Sequence, residues 1–267
     1  MEEVNPYQQP ATANVQSEQS TSSLALHGGV GKVGVGQALG WLGEGARMLS
    51  GHWGPVIGAL VVAFLIYMAV SMIPLVGYIA PNFLLMLLYA GIVQMFFRIE
   101  QEGRSDFGDL FAGFSNKTGP LLLLALVQFA AIWGVMIAMI AGMVAMAGVD
   151  MAAFSALESG DPAAFSNFFT AGMITMMVLG FVAMILLTFP FYFAVPLIFL
   201  GDRGLGEAMK MSTLACLKNF IPLLVYGIVA GILSLVAALP ILLGWLVLMP
   251  ILAGAYYQAF KDVFVES

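Results

Sequence analysis

The chain has 267 residues, of which 61% are hydrophobic and only 9% charged, with a mean hydropathy of +0.98. That composition lies outside the range of soluble domains, and the length leaves no room for a separate soluble enzyme domain beside the apolar segments. A single cysteine, Cys216, excludes an intramolecular disulfide framework and CxxC-type metal sites, and the net charge of −6 comes largely from a tail and a loop, so it signals no partner and no nucleic acid.

Residues 1–23 are polar, with no basic start and no apolar stretch, so they are not a secretory signal peptide. Rich in Gln, Ser, Thr and Asn, the segment 1–35 reads as a disordered tail. The run Gly28, Gly29, Val30, Gly31, Lys32, Val33 lacks the Ser or Thr that follows the lysine of a phosphate loop, and no strand precedes it, so it reads as flexible linker. His27 and His52 are too far apart and too poorly supported by other ligands to suggest a metal site.

From residue 36 to 264 the chain reads as a membrane domain. Four windows carry no Asp, Glu, Lys or Arg: 48–97, 118–149, 162–201 and 219–260. A crossing helix needs about 20 apolar residues, so the first and last windows hold two spans each and the middle two hold one each. The spans fall near 55–73, 83–97, 120–147, 168–200, 222–239 and 245–260. The expected fold is all-α: a polytopic membrane helix bundle of about six spans, built from three helical hairpins with short interfacial helices. The second and sixth spans would reach only about 23 Å at the α-helical rise, so they borrow polar flanks or form re-entrant hairpins. The fourth would run about 50 Å and needs tilt or a kink, for which Pro190 and Pro196 are the obvious places.

All nine basic residues lie on connections that emerge on one side: Lys32 and Arg47; Arg98, Arg104 and Lys117; Arg203, Lys210 and Lys218; and Lys261. The connections on the other side carry none, and the sizeable one contains Asp150, Glu158 and Asp161. The positive-inside rule then places both termini in the cytoplasm.

The sequence also reads as repeated. Three spans open near a proline (Pro55, Pro120, Pro222), each preceded by His52, Lys117 or Lys218 and by a stretch able to lie on the membrane surface. The middle stretch places Phe107, Leu110, Phe111 and Phe114 on one face, with Asp106 and Asp109 opposite. In the first and last units Gly77 and Gly244 follow the opening proline at the same distance, and an Ala-Gly pair comes later, Ala90–Gly91 and Ala253–Gly254. Both units start and end on the same side, so the repeat is parallel.

The spans contain no ionisable side chain of the kind that marks ion paths and catalytic centres, which argues against proton-coupled transport and intramembrane proteolysis. No catalytic, cofactor-binding or metal-binding residue is expected. The polar groups that remain (Gln94, Gln128, Gln258, Tyr67, Tyr89, Tyr192, Tyr226, Thr175, Thr188, Ser234) could line a pore for a neutral solute, but fit interhelical hydrogen bonds better. Met136, Met139, Met143 and Met146 share a helix face, with Met173, Met176, Met177 and Met184 on the next span. Thioethers bind Cu(I), but without His or Cys beside them they fit packing better. Small residues at four-residue spacing (Gly54 and Gly58; Gly134, Ala138 and Gly142; Gly227 and Gly231) suggest close packing between spans of one chain, with self-association as the lesser reading. The basic residues could attract anionic headgroups, though Glu100, Glu102, Asp106 and Asp109 dilute that field.

The pieces WLGEGARML…HWGP, FGDLFAGF, GEAMKMSTLACLKNFIPLLVYG and LVLMPILAGAYYQAFKDVF resemble a family of bacterial inner-membrane proteins with no assigned activity. The motifs that carry the likeness are Trp41, 107–114, 219–222 and 253–262. The resemblance implies a six-helix membrane bundle with interfacial helices and transfers no functional residue. The partners expected are the lipid bilayer and other membrane proteins or a second copy of the chain. Two functions follow: a non-enzymatic scaffold or accessory to a cell-envelope complex, or a channel or carrier for a neutral or lipidic substrate.

Overall fold

The computed structural model of the chain describes residues 24, 26, 29–147, 158–160, 171–239 and 243–265. The described residues are helical, and their only β pairing is an isolated antiparallel bridge between Leu26 and Val265. The connection around Asp150, the residues around Pro240, and His27 lie outside the described set, as do the side chains of Met143, Met146 and Met173.

Three hairpins make up the bundle. In the first, α2 (Trp53–Ser71) pairs with α3 (Ala80–Glu102). In the second, α5 (Thr118–Ala147) pairs with α6 (Ala171–Tyr192), which continues into α7 (Ala194–Phe199). In the third, α9 (Phe220–Ala238) pairs with α10 (Leu243–Phe264). Six helices are thus long and apolar enough to cross a membrane. The two short spans lengthen by taking in polar ends. At 23 and 22 residues, α3 and α10 are long enough to cross, and they carry Arg98, Glu100 and Glu102, or Lys261 and Asp262, toward their C-terminal ends. Pro55, Pro120 and Pro222 each fall at the third helical position, where the missing N–H is one that would have no intrahelical partner anyway.

Each hairpin is preceded by a short amphipathic element: α1 (Val35–Met48), a 3-10 turn at Phe107–Phe111 running into α4 (Ala112–Ser115), and α8 (Leu205–Lys218). Each packs on the second helix of the preceding hairpin rather than on its own. The 107–115 element lies on α3, α8 lies on α6, and α1 closes the circuit by lying on α10. Paired glycines make the approach possible. A Cβ on Gly91 would sit 1.9 Å from the Leu110 carbonyl oxygen, and one on Gly254 would sit 2.9 Å from the Cα of Gly45. The corresponding turn glycines also match, since Gly77 and Gly244 press against the backbone of Ser71 and Ala237 at the ends of α2 and α9. The repeat read in the sequence is therefore also a repeat of contacts.

The second helices form the centre. Over their apolar windows 56% of α3 and 44% of α10 is buried, against 17% for α2 and 11% for α9, so the first helices present their apolar side chains outward. The fourth span is mixed: α6 is largely exposed, whereas every residue of α7 is buried. The long fourth span does break, at Phe193. Pro196 has no N–H for the Tyr192 carbonyl, which instead accepts a hydrogen bond from the Tyr256 hydroxyl at 2.5 Å. The Ser212 hydroxyl inserts between Phe193 N–H and the Phe189 carbonyl, accepting from the first at 2.9 Å and donating to the second at 2.6 Å.

Three expectations change. Phe107, Phe111 and Phe114 do share an exposed face, with successive ring centroids 6.2 and 6.1 Å apart, but Leu110 and Asp109 turn inward together. Arg98 draws Asp109 in, with Nη1 2.8 Å from Oδ1, and the Gly91 notch admits Leu110. Among the glycines at that spacing, Gly142 meets a neighbouring helix. A Cβ on Gly54, Gly58, Gly134, Gly227 or Gly231 would meet nothing within 4 Å, so those faces point outward. The segment assigned to the tail also differs at its end. Leu24 N–H donates to the Leu200 carbonyl and Gly31 N–H to that of Val263, so this part of the chain lies across the ends of α7 and α10, where carbonyls need partners.

Candidate functional site

The three second helices meet in an aromatic cluster. Tyr256 of α10 lies 5.2 Å from Tyr89 of α3, 5.6 Å from Tyr192 of α6 and 5.8 Å from Phe193, measured between ring centroids. Phe96 stacks on Tyr257, and Phe193 and Phe260 flank Phe264. Rings fill this junction, with spacings in the range where offset and edge-to-face pairs attract.

On the basic side of this cluster lies a polar layer joining the amphipathic elements to the second helices. Glu100 accepts from the Tyr257 hydroxyl at 2.7 Å and pairs with Lys261, which ties α3 to α10. Asp262 accepts from Trp41 Nε1 at 2.8 Å and from Gln37 at 2.9 Å, which ties α1 to α10. Asn219, fully buried, accepts from Val33 N–H at 2.8 Å and donates to the Gly31 carbonyl at 3.0 Å. Burial raises the Asp109 carboxyl above the usual range despite the nearby Arg98 guanidinium. The buried Cys216 thiol is pushed up to about 12 by desolvation, which keeps it protonated and unreactive.

A cleft of about 440 Å³ opens at the basic end of the second hairpin, between the start of α5 and the 198–205 turn. Lys117, Asp202 and Arg203 line it. Lys117 pairs with Asp202, and Arg203 Nη1 lies 2.8 Å from Glu207 Oε1.

The polar span residues read from the sequence divide. Tyr89 and Tyr192 both meet Tyr256 at the centre, and Tyr226 meets Trp41 edge-on with ring centroids 5.4 Å apart. The hydroxyls of Thr188 and Ser234 bond back to carbonyls of their own helices. Gln258 bonds to Asp262 one turn on. The methionines act as knobs: a Cβ on Gly180 would strike the Met139 sulfur at 2.2 Å, and one on Gly142 that of Met176 at 2.8 Å. Sequence reasoning missed Tyr256, Tyr257 and Asp262 as the hub of the bundle. Their signal was a tyrosine pair and an acid at the end of a span next to a repeat glycine.

The fold defines a multi-pass, all-helical bundle of the membrane type. Comparison with protein-family models, with curated proteins and with solved structures finds no match.

Proposed function

We propose that the protein is a non-enzymatic scaffold or accessory to a cell-envelope complex, held in the bacterial inner membrane with both termini cytoplasmic. The observation that carries this reading is the state of its polar groups. Glu100, Asp109 and Asp262 are each engaged by a cation or a hydrogen-bond donor from another element of the same chain, and rings fill the junction of the second helices. Acid–base catalysis needs a group poised to exchange a proton with a substrate, and these groups join helices instead. The outward small-residue faces of α2 and α9, at Gly54, Gly58, Gly227 and Gly231, suit close approach by a helix of another membrane protein or of a second copy. The resemblance to bacterial inner-membrane proteins and the one-sided lysines and arginines support the location and orientation.

Photo-crosslinking in native membranes from positions beside Gly58 and Gly227 tests it, with a discrete protein adduct expected at one or both. Solute flux in proteoliposomes that disappears when Gln94 or Gln128 is changed would instead establish the channel or carrier reading.

A further inference from the structure

We propose that the cleft at the basic end of the second hairpin binds the phosphate of a phospholipid headgroup. Its level in the bilayer follows from the spans that form it. Lys117 immediately precedes Thr118, where the third span starts, and Asp202 follows shortly after Phe199, where the fourth ends. Groups placed there meet headgroups rather than hydrocarbon or bulk water.

Its lining joins cations to apolar side chains. The region at the start of α5 contributes Lys117 and Leu123, and the 198–205 turn contributes Arg203 and Leu205; Leu123 is 48% exposed. Lys117 and Asp202 are two of the three non-glycine residues with positive φ among those described, at 55° and 52°, a conformation that needs support from its surroundings and collects at ligand clamps. The carboxylates that pair with the cations are the more exposed partners, 66% for Asp202 and 51% for Glu207 against 31% and 30% for Lys117 and Arg203. Exposed ion pairs of this kind are held weakly, so a phosphodiester with more acceptor oxygens can displace Asp202 from Lys117. Arg203 uses Nη1 on Glu207, and a guanidinium carries further N–H groups that can turn to a phosphate. Beside Arg203, α8 opens at Gly204 with no side-chain cap, so its first amides add to the same positive rim. A soluble phosphate would find the same donors but leave the apolar lining uncovered. The combination of donors and apolar lining fits a headgroup with its acyl chains attached.

The test uses the full chain purified in neutral detergent, with native mass spectrometry counting bound lipid and a thermal-shift series giving relative affinities. Three probes separate the contributions: phosphatidylglycerol, diacylglycerol with the same acyl chains, and inorganic phosphate. We expect phosphatidylglycerol to bind at least tenfold more tightly than either of the others, and the double variant Lys117→Ala/Arg203→Ala to lose at least tenfold of that binding. Asp202→Asn removes the competing carboxylate while keeping a residue type that tolerates positive φ, so it should bind phosphatidylglycerol several-fold more tightly. This gain cannot arise from misfolding, and it decides the matter if the double variant does not fold. Equal binding of diacylglycerol, or unchanged or weaker binding by Asp202→Asn, would overturn the phosphate site. A full thermal shift with inorganic phosphate alone would overturn the lipid as its source.

Discussion

Gly45 is where α1 touches the bundle most closely, and Gly45→Ala tests whether that contact holds the circuit of hairpins closed. The added Cβ would lie 2.5 Å from both Ala255 N and the Ile251 carbonyl oxygen, two atoms of one hydrogen bond inside α10, whereas ordinary contact begins at 3.4 Å. Neither atom belongs to a side chain that can swing away, so α1 must withdraw by about 1 Å to recover van der Waals spacing. A shift of that size stretches the 2.8 Å bond from Trp41 Nε1 to Asp262 past hydrogen-bond range. Losing a bond to a charged acceptor and overpacking the seam together cost about 3–5 kcal/mol. Unfolding titrations of the purified protein in mixed micelles measure the loss directly. A double-mutant cycle with Asp262→Asn identifies its route, because much of the penalty should vanish once the Trp41 bond is already weakened. A Gly45→Ala protein within about 0.5 kcal/mol of the parent, or strictly additive costs in the cycle, would refute the reasoning.

Ser212→Ala removes the hydroxyl that bridges the break in the fourth span and leaves the buried Phe193 N–H and Phe189 carbonyl without it, so a loss of about 1–3 kcal/mol is expected in the same titration. Restoring the direct bond between the two would straighten the helix and displace Tyr192 from Tyr256, which Tyr fluorescence or crosslinking can register. For Asp109 the folded-state pKa is raised, so the native protein holds this proton more tightly than the unfolded chain does. That contribution is complete below the ordinary aspartate value, about 4, and is lost as pH rises through the folded value. The parent should therefore lose stability relative to Asp109→Asn as pH rises from 4 toward neutrality; a melting-temperature difference that is flat or opposite in sign over that window would contradict the burial argument. Cys216, buried with its thiol pushed up to about 12, should resist a maleimide in the folded protein and label fully after denaturation. Rapid labelling of the native protein would mean that α8 leaves α6 readily.

Hydropathy and charge were enough to place six spans and three amphipathic elements, because lipid imposes one requirement at a time on a contiguous stretch of chain: apolar length, a satisfied backbone, charges at the ends. The repeat glycines were legible for a similar reason, since Gly77, Gly91, Gly244 and Gly254 recur as local patterns before their contacts are known. Which elements meet was not legible. Nothing within the stretch 35–48 says that it lies on α10 near the other end of the chain, or that Asp262 gathers Trp41 and Gln37. The inward turn of Asp109 depended on Arg98 in a different helix, and the outward direction of Gly54, Gly58, Gly227 and Gly231 on the absence of any neighbour there. Between lipid-facing and helix-facing positions the apolar pattern barely changes, because both favour the same side chains. Sequence therefore sets what enters the membrane. Only the packed structure decides which surfaces close on one another and which stay open to lipid or a partner.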